Sequence, residues 1–321
     1  MKNNKYLFVL LLLLSILIVA VVSTFCYVKL NDRAESQAGD AREGFVIMTS
    51  CNPVYIATLN VAGGIDGVTV SNLSQPTTGC LHDYTLTTAD MRSLAQAGVL
   101  VINGSGMEGY LSDVMEAYPD LPIVDSSEDL SQVLMEDDEV NSHFWLSTSN
   151  YYEQVSNIAA GLAALDSAHA EDYLRNAKEY IDSLQDSQMT AYLDQARAGV
   201  RGRKCIVLHE ALEYMAEDLG MEVIGCMDLD EERQISAGEV ADLVDVIDGA
   251  GGPVVILSEK DYGQSMVELL EKQCPNVYNV YIETLIHGSC QADSYEKKMK
   301  ANYSNIDTEL LRMQGVELGV E

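Results

Sequence analysis

Three of the five histidines in this chain of 321 residues stand where predicted strands end and helices begin. His82 lies in GCLHDYTLTTADM, His143 lies in NSHFWLS just before a helix, and His209 follows the strand CIVL. Neutral imidazole is the commonest protein ligand for transition metals. Because ligands collect at the carboxyl ends of strands in open α/β sheets, we expect these three side chains to converge. A single histidine in such a loop would indicate only a surface or capping residue.

Three further side chains are candidates for the same site. Cys80 lies two residues before His82 and is either a ligand or a cysteine engaged in a disulfide or in packing. Glu259 ends the strand PVVILS and is expected to be an outer-shell group or an alternative carboxylate ligand. His287, near Asp293 in sequence, could substitute as a ligand or face solvent.

The elements that must position these residues follow from the hydrophobic pattern. Short apolar runs alternate with segments of helical period, which is typical of a parallel α/β sheet. The first series of strands is FVIMTS, GVTVSNL, VLVIN and LPIVD, and the second is CIVLH, MEVIG, PVVILSE and VYNVYI. Between the two series lies a long stretch of helical period without a strand pattern, where His169 is expected to be structural. The sequence therefore predicts an α/β fold of two lobes, each with a mostly parallel sheet flanked by helices, joined by a long helix.

The predicted boundaries follow the same pattern. We expect the N-terminal lobe at residues 44–167, the connecting helix at 168–198 and the C-terminal lobe at 199–321. Residues 29–43 are polar, small and charged, as in a linker.

The N-terminal residues predict a membrane segment. After Lys2 and Lys5 an unbroken apolar run extends to residue 28, about 23 residues and therefore long enough to cross a hydrocarbon core. Residues 1–28 are expected to be either a signal peptide or an uncleaved anchor, and the basic residues ahead of the run favour a cytoplasmic N-terminus. The rest of the chain would then be extracytoplasmic, attached to the outer face of the cell membrane.

Charge and cysteine content limit the partners. A formal net charge of −31 argues against nucleic acid, whose phosphates require a basic surface. An acidic surface mildly concentrates cations and favours solubility. Six of the seven cysteines lie outside the N-terminal segment and permit up to three disulfides, with Cys51 and Cys80 as potential neighbours. Reduced buried thiols are the alternative.

The stretch VLVINGSGMEGY contains a G-x-G-x-x-G pattern at Gly104, Gly106 and Gly109. After a strand and before a helix, this pattern indicates either a dinucleotide-binding turn or a tight structural turn. An extracytoplasmic location and the absence of the pattern from the first βα unit both favour the structural turn.

Four segments together resemble the metal-binding solute receptors of zinc and manganese ABC importers, over a range from about Phe45 to the last of the four. They are GCLHDYTLTTADMRSLAQAGVLVINGSGMEGYL, NSHFWLSTSNYYEQVSNIAAGLAALD, LHEALEYMAEDLGM and ADSYEKKMKANYSNI, in the family's order. In that family the turn after the third strand commonly reads N-G-x-G-x-E, which implies that Gly109 completes the dinucleotide pattern by chance. The chain departs from the family in three places: LMEDDEV replaces the histidine-rich loop of many zinc members, Ser142 replaces the usual proline before His143, and Cys26 follows bulky Phe25 rather than the small residues of a lipidation site.

The resemblance implies a metal site in the cleft between the lobes. Position by position, His82 and His143 match the ligands of the first lobe, His209 the histidine of the second lobe, and Asp293 the carboxylate of the D-x-Y-x-x-M segment. Three imidazoles and one carboxylate form a set that suits Zn²⁺, whereas Mn²⁺ prefers more oxygen ligands. Because manganese members tend to have a carboxylate where His209 stands, the match favours zinc, with manganese as the minor alternative.

The resemblance therefore predicts a receptor without enzymatic activity. It would capture a divalent metal ion outside the membrane, act as a monomer and deliver the ion to the membrane permease of an ABC importer. One alternative is a membrane-anchored zinc hydrolase with Glu210 beside His209, although the chain lacks H-E-x-x-H. Another is a manganese receptor or adhesin of the same family, since some relatives are linked to cell adhesion.

Overall fold

A computed structural model of the protein describes residues 44–73, 84–136, 139–229, 235–288 and 290–314. The predicted N-terminal membrane segment and linker lie outside these residues, as do Cys80 and His82. Across the described ranges, no helix is both long and apolar enough to cross a membrane.

The first sheet is parallel and has four strands in the order β2-β1-β3-β4. The four predicted strands of the first series form it: β1 (Phe45–Thr49), β2 (Val68–Asn72), β3 (Val99–Ile102) and β4 (Ile123–Asp125). All four residues of β3 are buried, as expected for a strand covered by helices on both faces. The prediction of a parallel sheet in this lobe is confirmed.

Local capping signals define the helices of the first lobe, which are α1 (Asn52–Ala62), α2 (Thr88–Leu94), α3 (Leu111–Ala117) and α4 (Thr148–Leu165). The Thr87 side chain accepts a hydrogen bond from the backbone N–H of Asp90, whose carboxylate accepts one from the N–H of Thr87 in return. Ser147 caps α4, and a short 3₁₀ helix (Phe144–Leu146) comes directly before it. Residues 141–143, which we call the His143 loop, therefore lead directly into a well-defined helix start.

A two-stranded antiparallel hairpin precedes the His143 loop. Its strands, β5 (Met135–Glu136) and β6 (Glu139–Val140), lie within LMEDDEV, the segment that stands where a histidine-rich loop was expected from the resemblance. Strands of two residues are too short to produce an alternating pattern of burial, so hydrophobic periodicity cannot predict them.

The connection between the sheets contains two consecutive helices, α5 (Ala170–Gln185) and α6 (Gln188–Val200), rather than one. The break falls at Ser187, whose hydroxyl accepts a hydrogen bond from the backbone N–H of Met189 and so caps a new helix. A serine that begins a helix competes with continuation of the preceding one.

The second sheet repeats the parallel arrangement in the order β8-β7-β9-β10. Its strands are β7 (Lys204–Val207), β8 (Glu222–Cys226), β9 (Val254–Ser258) and β10 (Val277–Tyr281), which are the four predicted strands of the second series. The helices of this part are α7 (Glu213–Asp218), α8 (Ala237–Gly249), α9 (Lys260–Gln273) and α10 (Ser294–Met313), and a 3₁₀ helix (Glu210–Leu212) precedes α7.

Apolar packing continues from one lobe to the other. The described residues from Phe45 onward belong to one compact unit, and a single buried cluster contains Ile47 of β1, Leu212 of the second lobe and Trp145 between them. The Phe144 and Tyr214 rings meet across the lobes with centroids 5.8 Å apart. A second cluster, which includes Ile206 and Ile256, belongs to the second lobe alone.

The cysteines of the described residues form no disulfide with one another. Cys205 and Cys274 are buried thiols, and burial raises the pKa of the Cys205 thiol to about 12. The pairing of Cys51 with Cys80 stays a prediction, because Cys80 lies outside the described ranges.

The glycine-rich turn after β3 is bound by a carboxylate of the chain itself. Glu108 accepts hydrogen bonds from the backbone N–H of Asn103 at 2.7 Å and of Gly104 at 3.1 Å. Burial raises the pKa of Glu108 despite these bonds. These backbone N–H groups, which would hold a pyrophosphate in a dinucleotide-binding fold, already donate to Glu108. This agrees with a structural turn.

Alanine at Gly104 is expected to destabilise the protein by about 3 kcal/mol, against about 1 kcal/mol for alanine at Gly106. Both residues have positive φ, +91° and +88°, so both substitutions place an L residue in left-handed backbone. Only at Gly104 does the added Cβ meet other atoms, 1.9 Å from Asp125 Oδ1, whereas nothing lies within 4 Å at Gly106. Urea midpoints of the two variants measure the difference, and equal losses of stability would contradict the steric explanation.

Candidate metal site

The structure brings together two of the predicted ligands, one from each lobe. The imidazole rings of His143 and His209 have centroids 5.1 Å apart at an interplanar angle of 76°. Both residues are buried, with exposed fractions of 1% and 5%. His143 follows the β6 hairpin and His209 follows β7, so elements far apart in sequence produce the approach.

His209 is oriented by Glu259. Its Nδ1 lies 2.6 Å from Glu259 Oε2, and the second oxygen of that carboxylate accepts a hydrogen bond from the Thr284 hydroxyl. Since an ionised carboxylate can only accept, Nδ1 carries the proton and Nε2 carries the lone pair that could bind a metal.

The ionisation state of Glu259 is consistent with this arrangement. Burial alone would raise its pKa, but the hydrogen bonds from His209 and Thr284 outweigh that effect and hold the pKa below its usual value. Both oxygens of the carboxylate are thereby used within the protein, which favours the outer-shell role that the sequence left open over that of a ligand.

His143 is oriented by Asn141 in the same way. The Asn141 amide nitrogen donates to the backbone carbonyl of Glu210 at 2.9 Å, which identifies Oδ1 as the atom that faces His143. The His143 Nδ1 lies 3.0 Å from that oxygen, so this nitrogen also carries the proton. Both buried histidines are therefore held at Nδ1, so Nε2 is the nitrogen through which either of them would bind a metal ion.

Glu210 adds negative charge beside the histidine pair. Its Oε1 lies 3.4 Å from His143 Nδ1, and its side chain is only partly buried. The negative charge of this carboxylate would assist the approach of a metal cation.

A buried polar network supports the His143 loop from the first lobe. The Asn103 amide donates to the carbonyl of Ser142 at 2.8 Å, next to His143, and Gln154 donates to Asn103 Oδ1 at 3.0 Å. Glu108 holds the backbone of Asn103. The glycine-rich turn therefore has a second role: it holds Asn103, whose side chain donates to the backbone of the His143 loop.

The second lobe holds the same loop through α7. Asp218 accepts hydrogen bonds from the Ser147 hydroxyl at 3.0 Å and from the Thr148 N–H at 2.7 Å, at the start of α4. The Tyr214 hydroxyl donates to the Asn141 carbonyl at 2.7 Å. Burial raises the pKa of Asp218, and the bonds from Thr148 and Ser147 offset part of that effect.

Trp145, the single tryptophan, is fully buried beside His143. The two rings have centroids 5.3 Å apart in an edge-to-face arrangement. The indole N–H donates to the Thr284 carbonyl at 2.7 Å, and the Tyr295 hydroxyl donates to the Trp145 carbonyl at 3.0 Å. Trp145 thus connects the His143 loop both to the end of β10 and to α10.

Asp293, His287 and His169 are not in contact with the histidine pair by any described bond. Asp293 stands at the N-cap position of α10, with its side chain 54% exposed and ion-paired to Lys297 at 2.5 Å. The His287 Nε2 lies 3.5 Å from the Tyr262 hydroxyl, and together with Glu259 and Thr284 this residue lines a cleft of about 290 Å³. His169 pairs with Asp166 at 2.7 Å at the start of α5, consistent with a structural role.

Within the described ranges, no three His, Cys, Asp or Glu side chains are grouped closely enough to hold a metal ion. Asp293 therefore does not join His143 and His209 in such a group, and His82 lies outside the described residues. The placement of the complete predicted ligand set stays a prediction.

Sequence reasoning missed two supporting residues. Asn141 was noted only as part of the segment NSHFWLS. Its position two residues before His143 is nevertheless a detectable signal, because a short polar side chain at that spacing can reach forward to the imidazole. Thr284 had no signal, since a threonine after a strand is common and its contacts depend on the neighbouring strand.

The comparisons with known proteins agree with this architecture. Residues 47–309 match the family described as "Zinc-uptake complex component A periplasmic". The manganese-binding lipoprotein MntA of Halalkalibacterium halodurans is 26% identical over 298 residues, 91% of this chain and 95% of its own. The iron-binding protein YfeA of Yersinia pestis is 24% identical over 258 residues, 78% of this chain and 82% of its own. The structure of the periplasmic zinc-binding protein TroA of Treponema pallidum superimposes with a TM-score of 0.71 at 21% identity, covering 83% of this chain and 99% of that one.

The two parallel sheets, their strand order and the family match define an α/β solute-binding protein of the metal-binding type. The chain belongs to the zinc-uptake component A family, whose members are extracytoplasmic receptors of ABC importers and not enzymes. Relatives named for manganese, iron and zinc show that the family as a whole does not determine which metal is bound. The hydrolase alternative is not favoured.

Proposed function

We propose that this protein captures zinc outside the cell membrane and delivers it to the permease of an ABC importer. The observation that carries the proposal is the pair of buried imidazoles from opposite lobes, each held at Nδ1 by a side-chain oxygen.

The spacing of the two rings supports a shared ion. With Zn–N bonds of about 2.1 Å, a zinc ion lies about 3.2 Å from each ring centroid, and a tetrahedral angle separates the centroids by about 5.2 Å. The observed separation is 5.1 Å. This agreement in spacing supports the proposal that the two residues share one ligand sphere.

We propose His82 and Asp293 as the other two ligands. The start of α10 lies against the His143 loop, because Tyr295 donates to the Trp145 carbonyl. Asp293, two residues earlier, pairs with Lys297, and a bound divalent cation would compete with that ammonium group for the carboxylate. Three imidazoles and one carboxylate suit zinc better than manganese, which prefers oxygen-rich sites.

Release is proposed to occur by loosening of the His209 side of the site. Apolar packing between the lobes is continuous around Trp145 and Leu212, so complete separation of the lobes would expose a large buried surface. Local movement of the segment after β7 costs less, and metal transfer requires a second state with weaker binding.

The N-terminal apolar segment is proposed to keep the receptor at the outer membrane face, as a monomer beside its permease. Uncleaved retention of residues 1–28 and lipidation at Cys26 are the competing forms of attachment. The mass of the N-terminal peptide from the native membrane protein distinguishes them. An additional role in adhesion stays a prediction from the resemblance.

Metal competition tests the choice of zinc. The full chain is purified in detergent, stripped with a chelator and titrated with Zn²⁺, Mn²⁺ and Fe²⁺, while Trp145 fluorescence and bound-metal stoichiometry are followed. We expect one zinc ion per chain and displacement of manganese and iron by zinc. Tighter binding of manganese would overturn the metal assignment, and the absence of any tight site would overturn the receptor proposal.

A further inference from the structure

Thr284 contacts the supports of both buried histidines. Its hydroxyl donates to Glu259, which holds His209, and its carbonyl accepts from the indole of Trp145, which packs on His143. The five residues form what we call the support chain, in the order His143, Trp145, Thr284, Glu259 and His209. Its two ends are the histidines that face each other across the lobes.

Sheet order explains how the second-lobe half of the support chain is assembled. His209, Glu259 and Thr284 follow β7, β9 and β10, which are consecutive neighbours in the parallel sheet. Side chains that leave the carboxyl ends of adjacent parallel strands emerge at the same edge. Each of the three is therefore within reach of the next, and none of these contacts depends on sequence proximity.

The backbone around Thr284 is fixed from both lobes. The Asn302 amide pairs with the N–H and the carbonyl of Glu283 at 2.9 and 3.0 Å. On the other side, Asn52 of α1 donates to the Leu285 carbonyl at 2.7 Å. Leu285 itself is buried with φ of +67°, a left-handed conformation that a leucine adopts only when its surroundings enforce it.

We propose that Thr284 is a positioning residue for metal capture, which orients Glu259 so that His209 holds its proton on Nδ1 and presents Nε2 to the ion. The inference rests on the proposed function for the identity of the ligands. Without the hydroxyl, one oxygen of the buried Glu259 carboxylate loses its donor and the carboxylate turns to find another partner. The Nδ1–H bond of His209 then weakens, and the tautomer with the proton on Nε2, which cannot bind the ion through that nitrogen, becomes populated.

Thr284→Val tests the hydroxyl alone, because valine keeps the shape of threonine and leaves the carbonyl in place. Thr49→Val is the matched control. Thr49 is buried in β1, as Thr284 is buried, and its hydroxyl donates to Asn72 Oδ1 at 3.0 Å, outside the support chain. Thr284→Ser restores the hydroxyl and is the rescue variant.

The primary readout is the imidazole ¹⁵N spectrum of His209 in the metal-free full chain in detergent, recorded over a pH series so that the neutral form is identified by its own shifts. In Thr284→Val we expect a substantial Nε2–H population and a zinc dissociation constant about tenfold higher. Thr49→Val should match the wild type in both measurements, and Thr284→Ser should return both toward it.

An unchanged His209 tautomer in Thr284→Val would overturn the proposal, as would an equal change in Thr49→Val. A shifted tautomer with unaltered zinc affinity would also contradict it, since positioning for capture would then be absent. Failure of the proposed function is distinguishable, because a wild-type chain that binds no metal still gives the tautomer measurement.

Discussion

Asparagine at position 209 is expected to raise the zinc dissociation constant by about 10²- to 10³-fold. Zinc sites with four protein ligands have apparent binding free energies of about 10–16 kcal/mol, or about 2.5–4 kcal/mol per ligand. The asparagine amide can replace Nδ1–H as the donor to Glu259, which avoids an unpaired buried carboxylate. It has no atom at the position of Nε2, so the predicted ligand is removed while its support is retained.

His169→Asn is the matched control for this variant. His169 stands at the N-cap position of α5 and is partly exposed. Its Nδ1 pairs with Asp166, and its ring contacts the ring of Tyr173. Its replacement should leave zinc affinity unchanged within about twofold. Isothermal titration against a competing chelator measures both variants, and metal-free melting curves verify that each is folded. Wild-type affinity in His209→Asn would remove His209 from the site, and with it the proposal of ligands from both lobes.

Alanine at position 145 is expected to lower the free energy of unfolding by about 3–5 kcal/mol. Trp145 is fully buried in the cluster that joins the lobes, so the substitution leaves a large cavity and the Thr284 carbonyl loses its donor. The Tyr295 bond to the backbone carbonyl at this position is retained. Trp145→Phe keeps an aromatic ring but removes the N–H, and should cost about 1–2 kcal/mol.

Met115→Ala serves as the control for the cavity, because Met115 is a large apolar residue that is 54% exposed. Its effect should stay within about 0.5 kcal/mol. Urea unfolding followed by far-ultraviolet circular dichroism is suitable, since the tryptophan signal is absent from the two variants at position 145. A Trp145→Ala midpoint equal to that of Met115→Ala would show that the packing between the lobes contributes little to stability.

The two predictions separate the roles of neighbouring residues in the same region. Replacement of His209 is expected to weaken metal binding with a small effect on the free energy of unfolding. Replacement of Trp145 is expected chiefly to lower the free energy of unfolding. Trp145→Phe removes the bond to Thr284 but keeps His209. It should therefore weaken zinc binding by less than His209→Asn does.

The eight strands and their parallel arrangement were predictable from the sequence. Apolar runs such as VLVI and VVILS are short, continuous and bounded by turn residues, which is sufficient to indicate strands that are covered on both faces. The structural nature of the glycine turn was also predictable, and the structure adds the reason, which is that Glu108 binds the turn amides. The hairpin before His143 and the break at Ser187 were not predicted, because each depends on two or three residues.

Residue type and position identified His143 and His209, because histidines directly after strands are few and their chemistry is specific. The sequence also identified Glu259 as a residue near the site. It could not show which nitrogen of each imidazole is held, or that Thr284 connects the two sides. Hydrophobic patterns and motifs report the local conformation of a segment, whereas the contacts of Thr284 and Glu259 join residues 25 to 139 positions apart. Their geometry is decided by strand order and by the packing of one lobe on the other, which only the tertiary structure contains.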